Sequence, residues 1–474
     1  GSEMCIRDRD KGKMISRTSA ERVLNAALAT GGDFAELYME DGESHSISML
    51  DGVVENAAYS RARGAGVRIL SGTRSAYAYT VDISESALVE TAKRASAIIK
   101  GEGGGVLPFT DIRDGNYRCR IPFSAVDNAK RVHLLKLGTD AAKAESGEIT
   151  KVSAAYMDTD KKVLVCNTEG VWAEDRRPRT RLAFTAVASD GMEFQTGQEI
   201  PAFGMGFEAY ELIDPEKDGR TAARTAVTML HGVDCPAGYM PVVIDGGFGG
   251  VILHEACVHS LEATSVARGN SEFCGKLGQK IASDIVTAID DGTLPGEWGS
   301  IRYDDEGNPS QCNVLIQNGM LKSYLVDRLG SRIMNQPMTG SARRQSYEFA
   351  PPSRMTNTFF APGYDDEEEM IRTMGEGLFA AKMGGGSVNP LTGEFNFSVL
   401  EGYWVKDGKI HCPVRGAALI GRGAEVLMKI DRVGMNMWFG HGMCGSRSGS
   451  VPTNVGQPRI RVSGITVGGK GGRL

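Results

Sequence analysis

One short segment, HEACVH from His254 to His259, puts a glutamate between two histidines. The chain has only 7 histidines in 474 residues, so a His-Glu-x-x-x-His pattern is expected by chance about 0.006 times in such a chain. Imidazole nitrogens are common zinc ligands, and a carboxylate beside one of them can take a proton from a water that the metal acidifies. Glu255 occupies that place. The spacing then dictates the local fold. Histidines four apart on an α-helix lie about 40° apart around the axis, whereas histidines five apart lie about 140° apart. A regular helix cannot aim both at one ion, so the helix is expected to bulge, bend or end between them. The plainer alternative leaves His254 near a core and His259 facing solvent.

A third protein ligand must come from elsewhere. Cys257 inside the motif, His441 and Cys444 in FGHGMCGSRSGS, and His411 with Cys412 in KIHCPV all carry suitable atoms. Periodicity does not choose among them, although the glycines around Cys444 favour it weakly because they allow close approach.

Other patterns carry less. GGFGG after the strand-like PVVID lacks the Gly-x-Gly-x-x-Gly order and has no Gly-Lys-Ser/Thr after it, so it reads as a tight strand-to-helix turn rather than a nucleotide cradle. No Gly-x-Ser-x-Gly elbow occurs. The acidic run DDEEE precedes MIRTMGEGLFAA and reads as the start of a helix, where the dipole favours negative charge, not as a metal site.

The elements that must position these residues are legible in outline. Apolar spacing predicts helices over residues 19–30, 83–99, 125–144 and 220–230, with Asp127 as a cap of the third. Strands are expected at 35–39, 45–50 and 66–70, and several antiparallel strands over 149–200, with turns at Thr168 to Gly170 and Asp190-Gly191. Asn318-Gly319 and Asp407-Gly408 signal hairpins. The fold class expected is α+β. An N-terminal domain (15–235) mixes antiparallel strands with surface helices, and a C-terminal domain (236–474), largely antiparallel sheet, carries the metal-site helix. Residues 1–14 are polar, have no apolar stretch, and read as a remnant outside the fold.

Composition bounds the partners. At 474 residues and 50.8 kDa, the chain buries about three quarters of its unfolded surface, enough for one large core or two. Hydrophobic residues make up 41% and charged residues 24%, and no apolar run reaches the about 18 residues that a membrane span needs. With 53 basic and 59 acidic residues the net charge is −6, which argues against nucleic acid as a partner. The 9 cysteines show no CxxC pair and no signal peptide precedes them, so a cytoplasmic location is expected.

Three segments, GGFGGVILHEACVHSLEATSVARGNSEF, PPSRMTNTFFAPG and MCGSRSGSVPTNVGQPRIRVSG, resemble the TldD/PmbA family of metallopeptidases, and the likeness runs from about Ile15 to the C-terminus. The resemblance implies Zn²⁺ held by His254, His259 and Cys444, with Glu255 as general base. It implies a dimer, either a homodimer or a heterodimer with a TldE/PmbA-like subunit, that cleaves short or unfolded peptides in an enclosed cavity. The TldE/PmbA branch lacks the metal site, so the intact motif points to the TldD side. The family usually has glycine just before the second histidine, where this chain has Val258. A stiff, β-branched residue there is expected to resist the helix distortion, which motivates a second reading: a catalytically weak or inactive peptide-binding partner subunit. Arg354, Met355 and Asn357 match a further family segment, with a structural network and substrate contact both open as roles.

Overall fold

The computed structural model describes residues 14–112, 119–389, 391–472 and 474. The expected N-terminal remnant, apart from Met14, lies outside the described residues, as does Cys5.

The N-terminal half is built on an eight-stranded sheet. Its centre is four long antiparallel strands, Phe34–Leu50, Val53–Ser71, Ile149–Asn167 and Val171–Ser189. Two strands were expected where Phe34–Leu50 runs unbroken. The polar stretch around Gly42 reads as a turn, yet Gly42 is paired with Ala62 on one side and Lys161 on the other. Arg61 also bonds Asp41 across the ladder at 2.7 Å, so sheet context overrides local turn preference. The actual turn is Asp51-Gly52, both with positive φ (53° and 87°), the type I′ geometry that suits a two-residue hairpin.

Helices cover this sheet in two pairs. Arg17–Leu28 and Glu85–Ser96 bury Val23, Leu24, Leu88 and Ala92 against Leu37, Val67 and Ile69. Asn128–Glu145 and Pro215–Leu230 bury Leu135, Ala142, Ala222 and Ala226 against Val152, Leu182 and Phe184. Asp127 caps the third helix as expected, accepting from the Lys130 amide at 2.9 Å.

From Val233 onward the chain forms two further sheets. In the first, Gly377–Val388 pairs with both Gly238–Ile244 and Glu394–Lys406. Ile460–Gly468 and Ala418–Arg422 complete the circuit, so five strands close into a ring. The second sheet has six strands and ends in the hairpin Gly449–Gln457 and Trp438–Ser446, with the latter at its edge. Both predicted hairpin turns form, with positive φ at Asn318, Gly319, Asp407 and Gly408. Most pairings are antiparallel and the helices pack on or between the sheets, an α+β fold. The largest core cluster fills the space between the two sheets and contains Val251, Leu253, Ala256, Val258 and Leu261 of the motif segment.

Candidate metal centre

Strand Gly238–Ile244 delivers the chain to GGFGG, and the glycines there make a turn no other residue could. Gly247 has φ 73°, and a Cβ on Gly250 would sit 2.5 Å from the Gly456 amide nitrogen. Helix Val251–Ala256 therefore starts in contact with strand Gly449–Gln457. It stops after six residues: Cys257 leaves helical geometry (φ −130°, ψ −60°) and Val258–Leu261 continues as a 3₁₀ turn. The distortion demanded by the five-residue spacing is a helix end. It brings the His254 and His259 rings to a centroid separation of 4.9 Å, nearly perpendicular at 85°.

The break falls on Cys257, not on Val258. Val258 has no positive φ and is fully buried, so its backbone conformation is one that does not require glycine.

The third donor arrives from the edge hairpin. Cys444 Sγ lies 3.3 Å from His259 Nε2, and the ligand atoms of His254, His259 and Cys444 all lie within 4.8 Å of one another. The other candidates are placed elsewhere. Cys257 packs in the core, where burial pushes its thiol up. His441 bonds Asn454 at 2.9 Å, and His411 and Cys412 lie on strand Lys409–Arg415, with His411 exposed.

Electrostatics and donor chemistry both fit a metal. Burial alone would push the Cys444 thiol up, but the neighbouring imidazoles of His254 and His259 outweigh it and hold the thiol down at about 3. Burial would lower His259, but Glu262 and the Cys444 thiolate lift it well above its usual value. A thiolate and two imidazoles are a borderline-soft donor set suited to zinc, whose tetrahedral ligands lie about 3.5 Å apart. His254 Nδ1 is buried and has no hydrogen-bond partner among the described residues.

Glu255 sits beside the donors, Oε2 3.7 Å from His259 Nε2. Glu262 was not singled out from sequence, yet its Oε1 lies 3.3 Å from His259 Nδ1, a charge contact without hydrogen-bond alignment. A carboxylate behind a ligand histidine orients the ring and raises its basicity. The available signal was His-x-x-Glu, placing the acid three residues on. Glu255, His259 and Glu262 all line a cleft of about 670 Å³, whose far wall includes Arg68 and Ser75 of the N-terminal sheet.

Arg354 and Asn357 are both buried within hydrogen-bond networks. Arg354 is fully buried and its guanidinium donates to the Cys444 carbonyl, to Ser448 Oγ at 2.8 Å and to the Gly449 carbonyl at 3.1 Å, tying down the hairpin end that carries the cysteine. Asn357 Nδ2 donates to the Asp291 carbonyl at 2.6 Å and Ser300 Oγ at 2.8 Å. Met355 is core.

Comparison with known proteins covers nearly the whole chain. The PmbA/TldA metallopeptidase domain 1, central domain and C-terminal domain match residues 35–99, 121–230 and 237–469. A Haemophilus influenzae relative named metalloprotease TldD homolog is 36% identical, covering 92% of this chain and 93% of its own length. A Methanothermobacter thermautotrophicus metalloprotease is 33% identical over 92% of this chain and 96% of its own. Among solved structures, TldE from Thermococcus kodakarensis superposes with a TM-score of 0.76 at 16% identity, covering 95% of this chain and 99% of that one. A Thermotoga maritima protein does so with a TM-score of 0.77 at 20% identity, covering 92% and 96%. Such low identities speak to the fold alone, but the domain matches and the close relatives settle the lineage: this chain belongs to the PmbA/TldD family of metallopeptidases.

Proposed function

We propose that this chain is a zinc-dependent peptidase of the TldD type that hydrolyses short or unfolded peptides. The observation that supports this most is the meeting of His254, His259 and Cys444 within 4.8 Å beside Glu255, on the wall of a cleft. The three side chains would hold Zn²⁺, which when bound polarises a carbonyl and acidifies water. Glu255 is the general base: its carboxylate takes the proton of the attacking water and returns it to the departing amine. Glu262 holds the His259 ring, and Arg354 holds the backbone of Cys444.

Substrate shape follows from the edge strand. Trp438–Ser446 pairs on one side with Gly449–Gln457 and ends its sheet on the other, where Gly247 bridges Phe439 and the segment nearer Cys444 is left as the edge. An extended peptide can add along that edge toward Cys444 through main-chain bonds, which explains indifference to sequence and a need for unfolded substrate. In this reading the domains divide as 15–235 and 236–474, the protein works in the cytoplasm, and it pairs with a second copy or with a TldE/PmbA-like subunit.

Metal analysis and peptide cleavage on wild type and Glu255→Ala test the assignment. The expected result is about one zinc per chain in both proteins, with cleavage reduced by about 10²–10⁴-fold in the variant. Bound zinc with equal cleavage by both would sink the role given to Glu255.

A further inference from the structure

A second cavity of about 470 Å³ shares no lining residue with the metal-site cleft. Its walls come from both halves of the chain, with Arg181 and Asp218 from one and Phe248, Met383, Phe439 and His441 from the other. Arg181 stands out. Its guanidinium is half-buried, and among the described residues it has no hydrogen bond, ion pair or ring contact. The buried arginines elsewhere are bonded: Arg68 to Glu36 and Glu306, Arg177 to Asp175 and Asp305, Arg344 to Glu36. A guanidinium is always charged, and holding one partly out of water with no anion is costly.

The other polar groups of the cavity divide into two ends. Lys382 forms an ion pair with Glu199 and donates to the Gln198 carbonyl at 2.9 Å. Asp218 is pushed up to about 6 by burial, with Glu199 and Asp214 adding. His441 belongs to the arginine end, where burial and then the Arg181 charge hold its imidazole below the usual value. Asn454 donates to Glu297 at 2.6 Å, which turns its Oδ1 toward His441 Nδ1 at 2.9 Å. His441 Nδ1 is therefore the donor of that pair, leaving Nε2 without a protein partner among the described residues.

We propose that this cavity binds a carboxylate carried on an apolar body, with Arg181 clasping the carboxylate and Phe248, Met383 and Phe439 receiving the apolar part. The planar guanidinium fork matches a carboxylate in two-point geometry, which a lysine could not reproduce. A leucine-like acid supplies both features, whether as a small free acid or as the C-terminus of a peptide. This site stands independently of the metal reading, because it uses neither the metal donors nor Glu255.

Calorimetric titration with N-acetyl-leucine and N-acetyl-leucinamide tests it. Wild type is expected to bind the acid at least about tenfold more tightly than the amide. Arg181→Ala should abolish that preference and Arg181→Lys should weaken it, while His254→Ala should leave it intact. Because Arg181 makes no bond to lose, Arg181→Ala should melt at or above the wild-type temperature. Equal binding of acid and amide, a preference that survives Arg181→Ala, one that vanishes in His254→Ala, or a steep loss of melting temperature in Arg181→Ala would each overturn the proposal. A further titration compares the tripeptide Ala-Ala-Leu in Glu255→Ala with and without Arg181→Ala, so that binding at the metal-site cleft, common to both, is subtracted and only the Arg181-dependent part is counted. Tighter binding of the tripeptide than of N-acetyl-leucine supports the site with a chain terminus as its ligand, and the reverse supports it with a small acid.

Discussion

The Cys444 thiolate and the His259 imidazolium, 3.3 Å apart, titrate as a pair, and the pair gives the metal-free protein a defined stability profile. In the fold Cys444 ionises at about 3, and His259 keeps its proton well above 6.5. Unfolded, a thiol ionises near about 8.5 and an imidazole near about 6.5. Between about pH 3 and 6.5 the unfolded chain holds one more proton than the folded one, so stability from the pair rises with pH. From about 6.5 to 8.5 both states hold one proton and the contribution is level. Above about 8.5 the unfolded pair has lost both protons while the folded imidazolium retains one, so stability falls as pH climbs toward the folded His259 value. Urea unfolding of chelator-treated protein should therefore show a plateau near neutrality with a decline on each side. In Cys444→Ser the rise between about pH 3 and 6.5 should disappear, because no thiolate forms in the fold, whereas Glu262 still holds His259 above its usual value, so a decline remains and begins near about 6.5. A profile unchanged by that substitution would contradict the pairing.

At the scale of elements, the motif helix shows how a sequence rule can hold while its address is missed. For both rings to meet, the five-residue spacing required a distortion, because about 100° per residue carries them apart on a regular helix, and one is present. The missing family glycine pointed to Val258 as the strained position, but the chain breaks helical geometry one residue earlier, at Cys257. Backbone angles at a helix end are chosen by where the next segment must go, here the 3₁₀ turn that returns His259, and side-chain stiffness is felt only if it opposes that path. Val258 lies in that 3₁₀ turn without a positive φ. Its side chain belongs to the core cluster with Leu253, Ala256 and Leu261, so Val258→Gly removes buried methyls and loosens the backbone together. The expected effect is a loss of about 1–3 kcal/mol in stability with no gain in zinc occupancy or cleavage. Chemical denaturation and metal analysis of the variant check both halves of that statement. Hairpins were easier to read than this helix because their turn residues carry the geometry locally: Asn318-Gly319 and Asp407-Gly408 adopt the positive φ that their chemistry allows. Third-ligand choice was harder for the opposite reason, since Cys444 reaches His259 across 185 residues of chain and no periodicity spans such a gap.

The whole molecule is held together at the cleft by charges that are far apart in sequence, which is why the far wall of the site was not legible there. Arg68 of the N-terminal sheet is bonded to Glu36 at 2.7 Å and to Glu306 of the C-terminal half at 2.6 Å, and Arg344 returns to Glu36 at 3.0 Å. Arg177 crosses the same boundary to Asp305 at 2.7 Å. All of these groups are buried, so each charge depends on its partner, and removing one leaves the other stranded at a cost of about 3–5 kcal/mol. Arg68 also lines the metal-site cleft, whereas all three metal donors belong to the C-terminal half. Arg68→Met should therefore lower stability by about that amount and raise KM for peptides, while zinc binding stays at the wild-type level. Glu36 retains Arg344 in this variant, so the group left without a partner is Glu306, whose carboxyl is already pushed up to about 8 by burial against the pull of Arg68, and it is stranded as a charge only above that pH. Adding Glu306→Gln removes that charge, so above about pH 8 the double variant should recover a large part of the lost stability, while near about pH 7, where Glu306 takes up a proton, the recovery should be smaller. Denaturation curves for wild type, both single variants and the double variant close the cycle. A double variant no more stable than Arg68→Met would mean that lost packing of the arginine, not the uncompensated carboxylate, is what holds the two halves to the cleft.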